Sequence, residues 1–341
     1  MNLFNHNPRG QRSLEDPIGI FGNQLRALGH ECIWRTANDQ FLTKDSGINI
    51  VVEGFTPSAT QAIAQAHAQN SRFICLATEE PTIYGFNGGR DREMVWRQKL
   101  FPDAAKYFEA IYHLVPGERV TRWYSQWAPA AYVELGYADT LVRRTTKKPD
   151  FDFGFFGSIS KRRLRILRQL ARFIGSEKSI RVVSDFPTQE DRDEAMQSAR
   201  VILQIRKYDE MGLVSSSRCN TALCNGRPVI AEPHELSKPW DEIIRFSDSL
   251  EKFYSDAFMM RTMWDGVYRT QFEKFKTRLS PQVCVGDALL KTQLDLTPPK
   301  LKMLLPPGSS SGQNVSSFPR AYAPRTVVNK TETAFPLQVG G

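Results

Sequence analysis

The stretches FGFFGSISKRRLRILRQLAR (153–172), SARVILQIRKYDE (198–210) and SSSRCNTALCNGRPVIAEPHE (215–235) decide the fold. An apolar strand runs into a Gly-Ser turn and a basic helix, and a second strand ends in basic residues. An arginine-led helix then closes on Asn225-Gly226 before a third strand. Leu164, Leu167, Leu170, Ala171 and Ile174 recur at helical spacing and predict a helix over 161–174 with one buried face. Strands and helices that alternate in this way imply a parallel sheet covered by helices.

The same alternation extends outward. Upstream, LFNHN, ECIWR, INIVVEGF, RFICLATEE, AIYHLV and AAYVELGY read as strands, with helices in DPIGIFGNQLRALGHE, SATQAIAQAHAQN and FPDAAKYF. The polar stretch RRTTKKPD (143–150) carries a proline and reads as a linker. It separates a domain over 1–145 from a second over 151–280. Beyond Ser247 the segment LEKFYSDAFMMRTMWDGVYRTQFEKFKTRL predicts one or two amphipathic helices. From Thr297 to Gly341 the composition turns to Pro, Ser and Gly and predicts a flexible tail.

The chain has 341 residues, enough for two domains, and 41% of them are hydrophobic. No run of about 18 apolar residues occurs, which argues against a membrane-spanning helix. The N-terminus lacks the charged-then-apolar order of a secretory signal, so a cytoplasmic protein is expected, and the sequons at Asn314 and Asn329 read as chance matches. Cys32, Cys75, Cys219, Cys224 and Cys284 are scattered, without metal-ligand spacing, and read as reduced core thiols with no metal site. A net charge of +8 and a pI near 9.2 favour an anionic partner.

Three constellations in the second half suit an anion. Gly157 and Ser158 form a turn where backbone can approach a ligand, and the helix that follows opens with free N–H groups. Arg162 and Arg163 sit in its first turn, where the helix dipole disfavours cations unless an anion binds there. Arg165, Arg168 and Arg172 read equally well as a solvated face. Arg206 and Lys207, with Tyr208, Asp209 and Glu210, follow a strand whose carboxyl end is where open parallel sheets bind ligands. Arg218 leads a helix that begins near Ser215 or Ser216, and the next strand delivers Glu232, Pro233, His234 and Glu235 to the site edge. In the first half, Glu79 and Glu80 end a buried strand, where partial burial would raise a carboxyl pKa towards that of a useful base. His6 and His113 are weaker candidates, since a lone strand histidine usually belongs to the core.

Taken together, FFGSISKRRLRIL, RCNTALCNGRPVIAE and, in the first half, Gly19, Gly22, Leu25, Leu28 and Gly29-His30-Glu31 resemble the GT-B glycosyltransferases, more narrowly the CgeB-like family-1 group. The resemblance is specific over 153–235 and looser elsewhere within 1–280. It implies two Rossmann-like domains facing across a cleft, an acceptor domain first and a nucleotide-sugar donor domain second. It also implies transfer of a sugar from a nucleotide-diphosphate donor, usually without a metal and with no cofactor besides that co-substrate. By position, Gly157 and Ser158 would line the diphosphate, Lys207 and Arg218 would neutralise it, and Glu235 would touch the sugar or ribose. Thr221 stands where many relatives carry a glutamate.

Two functions follow as expectations. One is a glycosyltransferase whose acceptor is a glycan, protein, small molecule or nucleic-acid base, with Glu79 or Glu80 as base if configuration inverts. Duplex DNA is the less favoured acceptor, because no aromatic-basic stacking platform or zinc knuckle is present. The other is a catalytically degenerate module that binds nucleotide, glycan or a partner protein, motivated by Thr221.

Overall fold

The computed structural model describes residues 1–4, 11–35, 41–43, 47–53, 55–89, 92–143, 148–175, 179–184, 188–209, 213–235 and 237–294. His6, Glu210, the middle of the expected linker and the expected tail lie outside them.

The first sheet takes β1 (Asn2–Phe4), β2 (Ile33–Arg35), β3 (Ile48–Val52), β4 (Arg72–Ala77), β5 (Ala110–His113) and β6 (Ala130–Tyr132) in the order β2-β1-β3-β4-β5-β6. Every pairing is parallel. All five residues of β3 are buried, the near-continuous apolar run expected of a strand covered on both faces. Helices α1 (Gln11–Ala27), α2 (Pro57–Ala68) and α3 (Arg92–Ala105) provide the crossovers. Thr56 caps α2, its hydroxyl accepting the Ala59 N–H at 3.2 Å, and Pro57 follows at the first position, where no amide partner is needed.

The second sheet is also parallel and takes β7 (Phe151–Phe156), β8 (Ile180–Val183), β9 (Ala199–Gln204), β10 (Val229–Ala231) and β11 (Arg245–Phe246) in the order β8-β7-β9-β10-β11. The chain order therefore reverses between β7 and β9, and the loops after these two strands bracket the switch point where such sheets bind ligands. The α/β class with two doubly wound parallel sheets is thus as expected.

Helix α5 matches its expected span, Lys161–Ile174, with Ser160 as N-cap and Gly175 in the left-handed region at its end. Its buried face needs a correction. Leu167, Leu170 and Ala171 are buried as expected, but Ile166, Arg162 and Arg163 join them, while Leu164 and Ile174 are only half-buried. The face is rotated towards the arginines because Arg162 and Arg163 have partners inside the fold. Arg165, Arg168 and Arg172 are exposed, the solvated alternative.

Helix α4 (Glu118–Tyr124) escapes the periodicity, and its seven residues are held by burial of Val120 and Tyr124. After α6 (Gln189–Gln197), α7 (Ser216–Cys224), α8 (Leu250–Met260) and α9 (Trp264–Arg278), the chain makes a π turn and a last helix, α10 (Asp287–Thr292). This segment returns to the first sheet: the Tyr137 N–H donates to Leu279 O at 2.7 Å and Tyr112 Oη pairs with Thr292 Oγ1 at 2.8 Å. A Cβ at Gly136 would lie 2.3 Å from Leu279 O, so only glycine lets the two segments close. The halves share one core, in which Phe21, Tyr112 and Val133 join Ile202, Cys219, Trp240 and Phe275.

Candidate functional site

Gly157 follows β7 with φ +137°, a conformation L side chains rarely adopt. A Cβ there would stand 2.8 Å from Arg218 Nη2 and 3.8 Å from Arg163 Nη1. Two guanidiniums therefore converge on this turn, and both lie over the fully buried Phe155 ring, at 5.1 Å for Arg163 and 5.4 Å for Arg218.

Their partners are neutral oxygens. Arg163 donates to Ile205 O at 3.0 Å and to Ser158 O at 2.8 Å, and Arg218 donates to Gln204 Oε1. Among the described residues neither forms an ion pair with a carboxylate. Burial, reinforced by Arg163, pushes the Arg218 pKa down to about 10, and burial likewise lowers that of Arg163. The protein holds two cations side by side without a bonded counter-charge, an arrangement that favours a bound anion.

Arg162, placed by sequence with the diphosphate, turns the other way. It forms a two-pronged pair with the carboxylate of Glu232, Nη1 to Oε1 at 2.7 Å, and its Nε donates to Asp209. These pairings push its pKa upward. Glu232, at the end of β10, is fully buried and also accepts the backbone N–H of Arg206. The anion that explains Arg162 in the first helical turn is thus an internal one. It ties the loop after β9 to the end of β10.

The remaining second-half candidates occupy the rim. Ser158 is exposed and Lys207 half-buried, its ammonium 5.3 Å from the Tyr208 ring and its carbonyl accepting Ser160 Oγ at 2.9 Å. Glu235 is exposed. His234 Nδ1 donates to Glu232 O at 2.7 Å, and its ring stands edge-on to Phe246. Thr221 is buried, its hydroxyl returned to Ser217 O at 2.7 Å along α7. At the start of that helix Ser216 Oγ accepts from Trp240 Nε1 at 3.1 Å. Ser216 and Trp240 also bear on Glu134, a buried carboxyl from the end of β6 whose pKa burial raises and these groups pull back. A carboxyl of the first half thus stands near the α7 N-terminus.

At the carboxyl edge of the first sheet, β4 ends at Ala77, and Glu79 and Glu80 leave the strand direction. Glu79 pairs with buried Arg97 at 2.7 Å and accepts from Asn87, while Glu80 pairs with Arg119. The carboxyl that burial raises strongly is Glu53, after β3, pushed up to about 8 by burial and by Glu79. It accepts the N–H groups of Thr78 at 2.7 Å and Glu79 at 3.0 Å, and Tyr124 Oη lies 3.3 Å away. Sequence reasoning missed Glu53 although VVEGF carries the same signal as TEEP, an acid ending a buried strand. His113 fits its core reading: both ring nitrogens are paired, to Val115 O at 2.8 Å and Thr121 Oγ1 at 2.9 Å, and burial lowers its pKa to about 4.

Among the described residues no group of three or more His, Cys, Asp or Glu side chains could hold a metal ion, and no helix is long and apolar enough to cross a membrane.

No family model matches the sequence and no curated protein matches it. Among solved structures, the chain is similar to an S. aureus TarM mutant in complex with fondaparinux, alpha-GlcNAc-glycerol and UDP, at 9% identity, over 74% of this chain and 57% of that one, with a TM-score of 0.47. It is similar to an alpha1,3-fucosyltransferase at 10% identity, over 86% and 90% of the two chains, with a TM-score of 0.46. A UDP-forming alpha,alpha-trehalose-phosphate synthase from Burkholderia xenovorans matches at 8% identity, over 85% and 79%, with a TM-score of 0.48.

Proposed function

We propose that the protein is a glycosyltransferase of the GT-B kind that takes a nucleotide-diphosphate sugar in the second half and transfers its sugar to an acceptor bound by the first. The observation that carries the reading is the convergence of Arg163 and Arg218 on the Gly157 turn with no bonded carboxylate among the described residues. The sequence resemblance over 153–235, including its narrower likeness to the CgeB-like group, supports the same assignment.

In this reading the diphosphate lies against the Gly157 turn, with Arg163 and Arg218 on its oxygens and Ser158 and Lys207 at the rim. As the bond from the anomeric carbon to the diphosphate oxygen breaks, negative charge grows on that oxygen. Guanidiniums already in place stabilise it without reorganising. Arg162 acts one step back, holding Glu232 and with it the Arg206-Lys207 backbone. Of the two expected bases, Glu80 is the more accessible and pairs with Arg119, whereas Glu79 is shared between Arg97 and Asn87.

The test is Arg218→Ala, read by calorimetry with UDP, GDP and dTDP. Loss of a charge-assisted hydrogen bond to phosphate costs about 1.5–3 kcal/mol, so affinity for the preferred nucleotide falls roughly ten- to a hundredfold while the fold is kept. Unchanged affinity would falsify the site. A turnover assay over UDP-, GDP- and dTDP-sugars separates this enzyme from a module that only binds, the second reading that Thr221 motivates. Binding without turnover of any donor selects the module.

A further inference from the structure

Glu79 and Glu80 sit on the loop after β4, and the root of that loop hangs on two buried side chains. Glu53 Oε2 accepts the N–H groups of Thr78 at 2.7 Å and Glu79 at 3.0 Å, while Tyr124 Oη stands 2.9 Å from Glu79 O. The same hydroxyl lies 3.3 Å from Glu53 Oε1 and 3.4 Å from Oε2. A phenol has one proton, and here it faces three oxygens that are all acceptors if Glu53 is ionised. Glu79 O is the nearest and has no proton of its own, so it takes the phenol's. Oε1 has no other hydrogen-bond partner among the described residues and is then satisfied only by donating a proton to Tyr124 Oη. The geometry fits a protonated Glu53, with the bonds running in one direction from Glu53 through Tyr124 to Glu79 O.

The surroundings agree. Cys75 on β4, Glu79 on the loop, Arg97 on α3 and Tyr124 on α4 are the titratable and charged groups that face Glu53, itself fully buried. Burial and the Glu79 carboxylate raise the Glu53 pKa to about 8, against Arg97 and the two backbone N–H groups. Arg97 is paired with Glu79 at 2.7 Å. Burial and the nearby Glu53 charge push the Cys75 thiol and the Tyr124 phenol upward, so both stay neutral. His113, stacked on the Tyr124 ring, is held neutral by burial.

Beyond its root the loop is closed on itself. Asn87 N donates to Glu80 O at 2.7 Å and its Oδ1 accepts the Glu80 N–H at 2.9 Å, while Arg119 donates to Pro81 O at 2.7 Å. A change at the root is therefore carried to both carboxylates. We propose that Glu53 is a proton-operated positioning residue for this loop: protonated, it leaves the Tyr124 proton to Glu79 O; ionised, it draws that hydrogen bond to itself and unfastens the root. The Glu53 proton passes to solvent, and no other covalent bond changes. That the loop presents a base to an acceptor rests on the glycosyltransferase reading above; the exchange of hydrogen-bond partners does not.

The experiment follows amide hydrogen exchange of the full chain by mass spectrometry between about pH 6 and about pH 9.5, corrected for the intrinsic pH dependence of exchange. Protection over residues 80–87 falls about tenfold, the worth of one hydrogen bond, with its midpoint near pH 8, while β7 in the second half keeps its protection. Glu53→Gln, whose amide donates and accepts without titrating, keeps the protection across the range. Tyr124→Phe abolishes the step by lowering protection at every pH. In infrared spectra the wild-type chain shows a protonated-carboxyl C=O band that fades with the same midpoint, is absent from Glu53→Gln and shifts in Tyr124→Phe, a signature that packing does not give. No step in the wild type, a step kept in Glu53→Gln, or no such band at neutral pH overturns the proposal. Should Glu53→Gln not fold, the band in the wild type and in Tyr124→Phe decides alone. No nucleotide enters these measurements, so their failure leaves the Arg218 site standing, and failure of nucleotide binding leaves the proton switch standing.

Discussion

At the carboxyl edge of the first sheet Glu79 and Glu80 have each met an arginine, Glu79 with Arg97 and Glu80 with Arg119. At the same edge of the second sheet, Arg163 and Arg218 have met only neutral carbonyl, hydroxyl and amide oxygens among the described residues. Both edges are built from the same parallel-strand geometry, yet the first pairs Glu79 and Glu80 with arginines, whereas the second leaves Arg163 and Arg218 without a bonded carboxylate among the described residues. The difference locates a ligand better than the number of charged residues does, because a compensated charge has little left to offer a ligand, whereas an uncompensated one is held at a cost that binding relieves.

The comparison breaks first at Glu232. Glu232→Ala leaves the Arg162 guanidinium buried without its carboxylate and costs about 3–5 kcal/mol, measured as the fall in denaturation midpoint and free energy in urea. A loss below about 1 kcal/mol would show that Arg162 turns readily to solvent and that the second edge is more open than described. Gly157→Ala comes next. A Cβ at φ +137° and 2.8 Å from Arg218 Nη2 costs about 1–3 kcal/mol of stability and displaces the guanidinium, so nucleotide affinity falls together with melting temperature. Retention of both would remove the turn from the site.

The first edge is sharpened by pH. Glu53 has its folded pKa raised from 4.5 to about 8, so between those values the folded chain binds more protons than the unfolded one. Stability contributed by protonated Glu53 is complete below about pH 4.5 and is lost as pH rises through about 8. Glu53→Gln flattens that part of the stability profile, and a profile identical to wild type between these values would place the carboxyl in water. The smallest effect belongs to Glu80→Gln. Loss of its surface pair with Arg119 changes stability by about 0–1 kcal/mol, and a larger change would make Glu80 a structural residue rather than an available base.

How much of this was readable before the fold is plain from particular residues. The strands INIVV and FGFFGS and the helix 161–174 follow from local pattern, since apolar runs, spacing and caps are contiguous in sequence. Gly157 and Arg218 could be singled out for the same reason: a glycine after a strand and an arginine opening a helix are local signals. Arg162 could not be separated from Arg163, because adjacent arginines on one helix differ only in what other strands bring to them. Glu232 was placed at the site edge but its partner is 70 residues away. Glu53 carries a local signal, an acid ending a buried strand, whereas nothing local marks Glu134, whose partners Trp240 and Ser216 are distant in the chain.

The sequence by itself determined the alternation of strands and helices that builds two parallel sheets and the residues gathered at the ends of β7, β9 and β10, because backbone geometry and hydrophobic period act over a few residues. Only the tertiary structure decided which charges are compensated. Ion pairing and desolvation act through space, so whether Arg162 or Arg218 remains for a phosphate depends on carboxylates and oxygens delivered from distant strands.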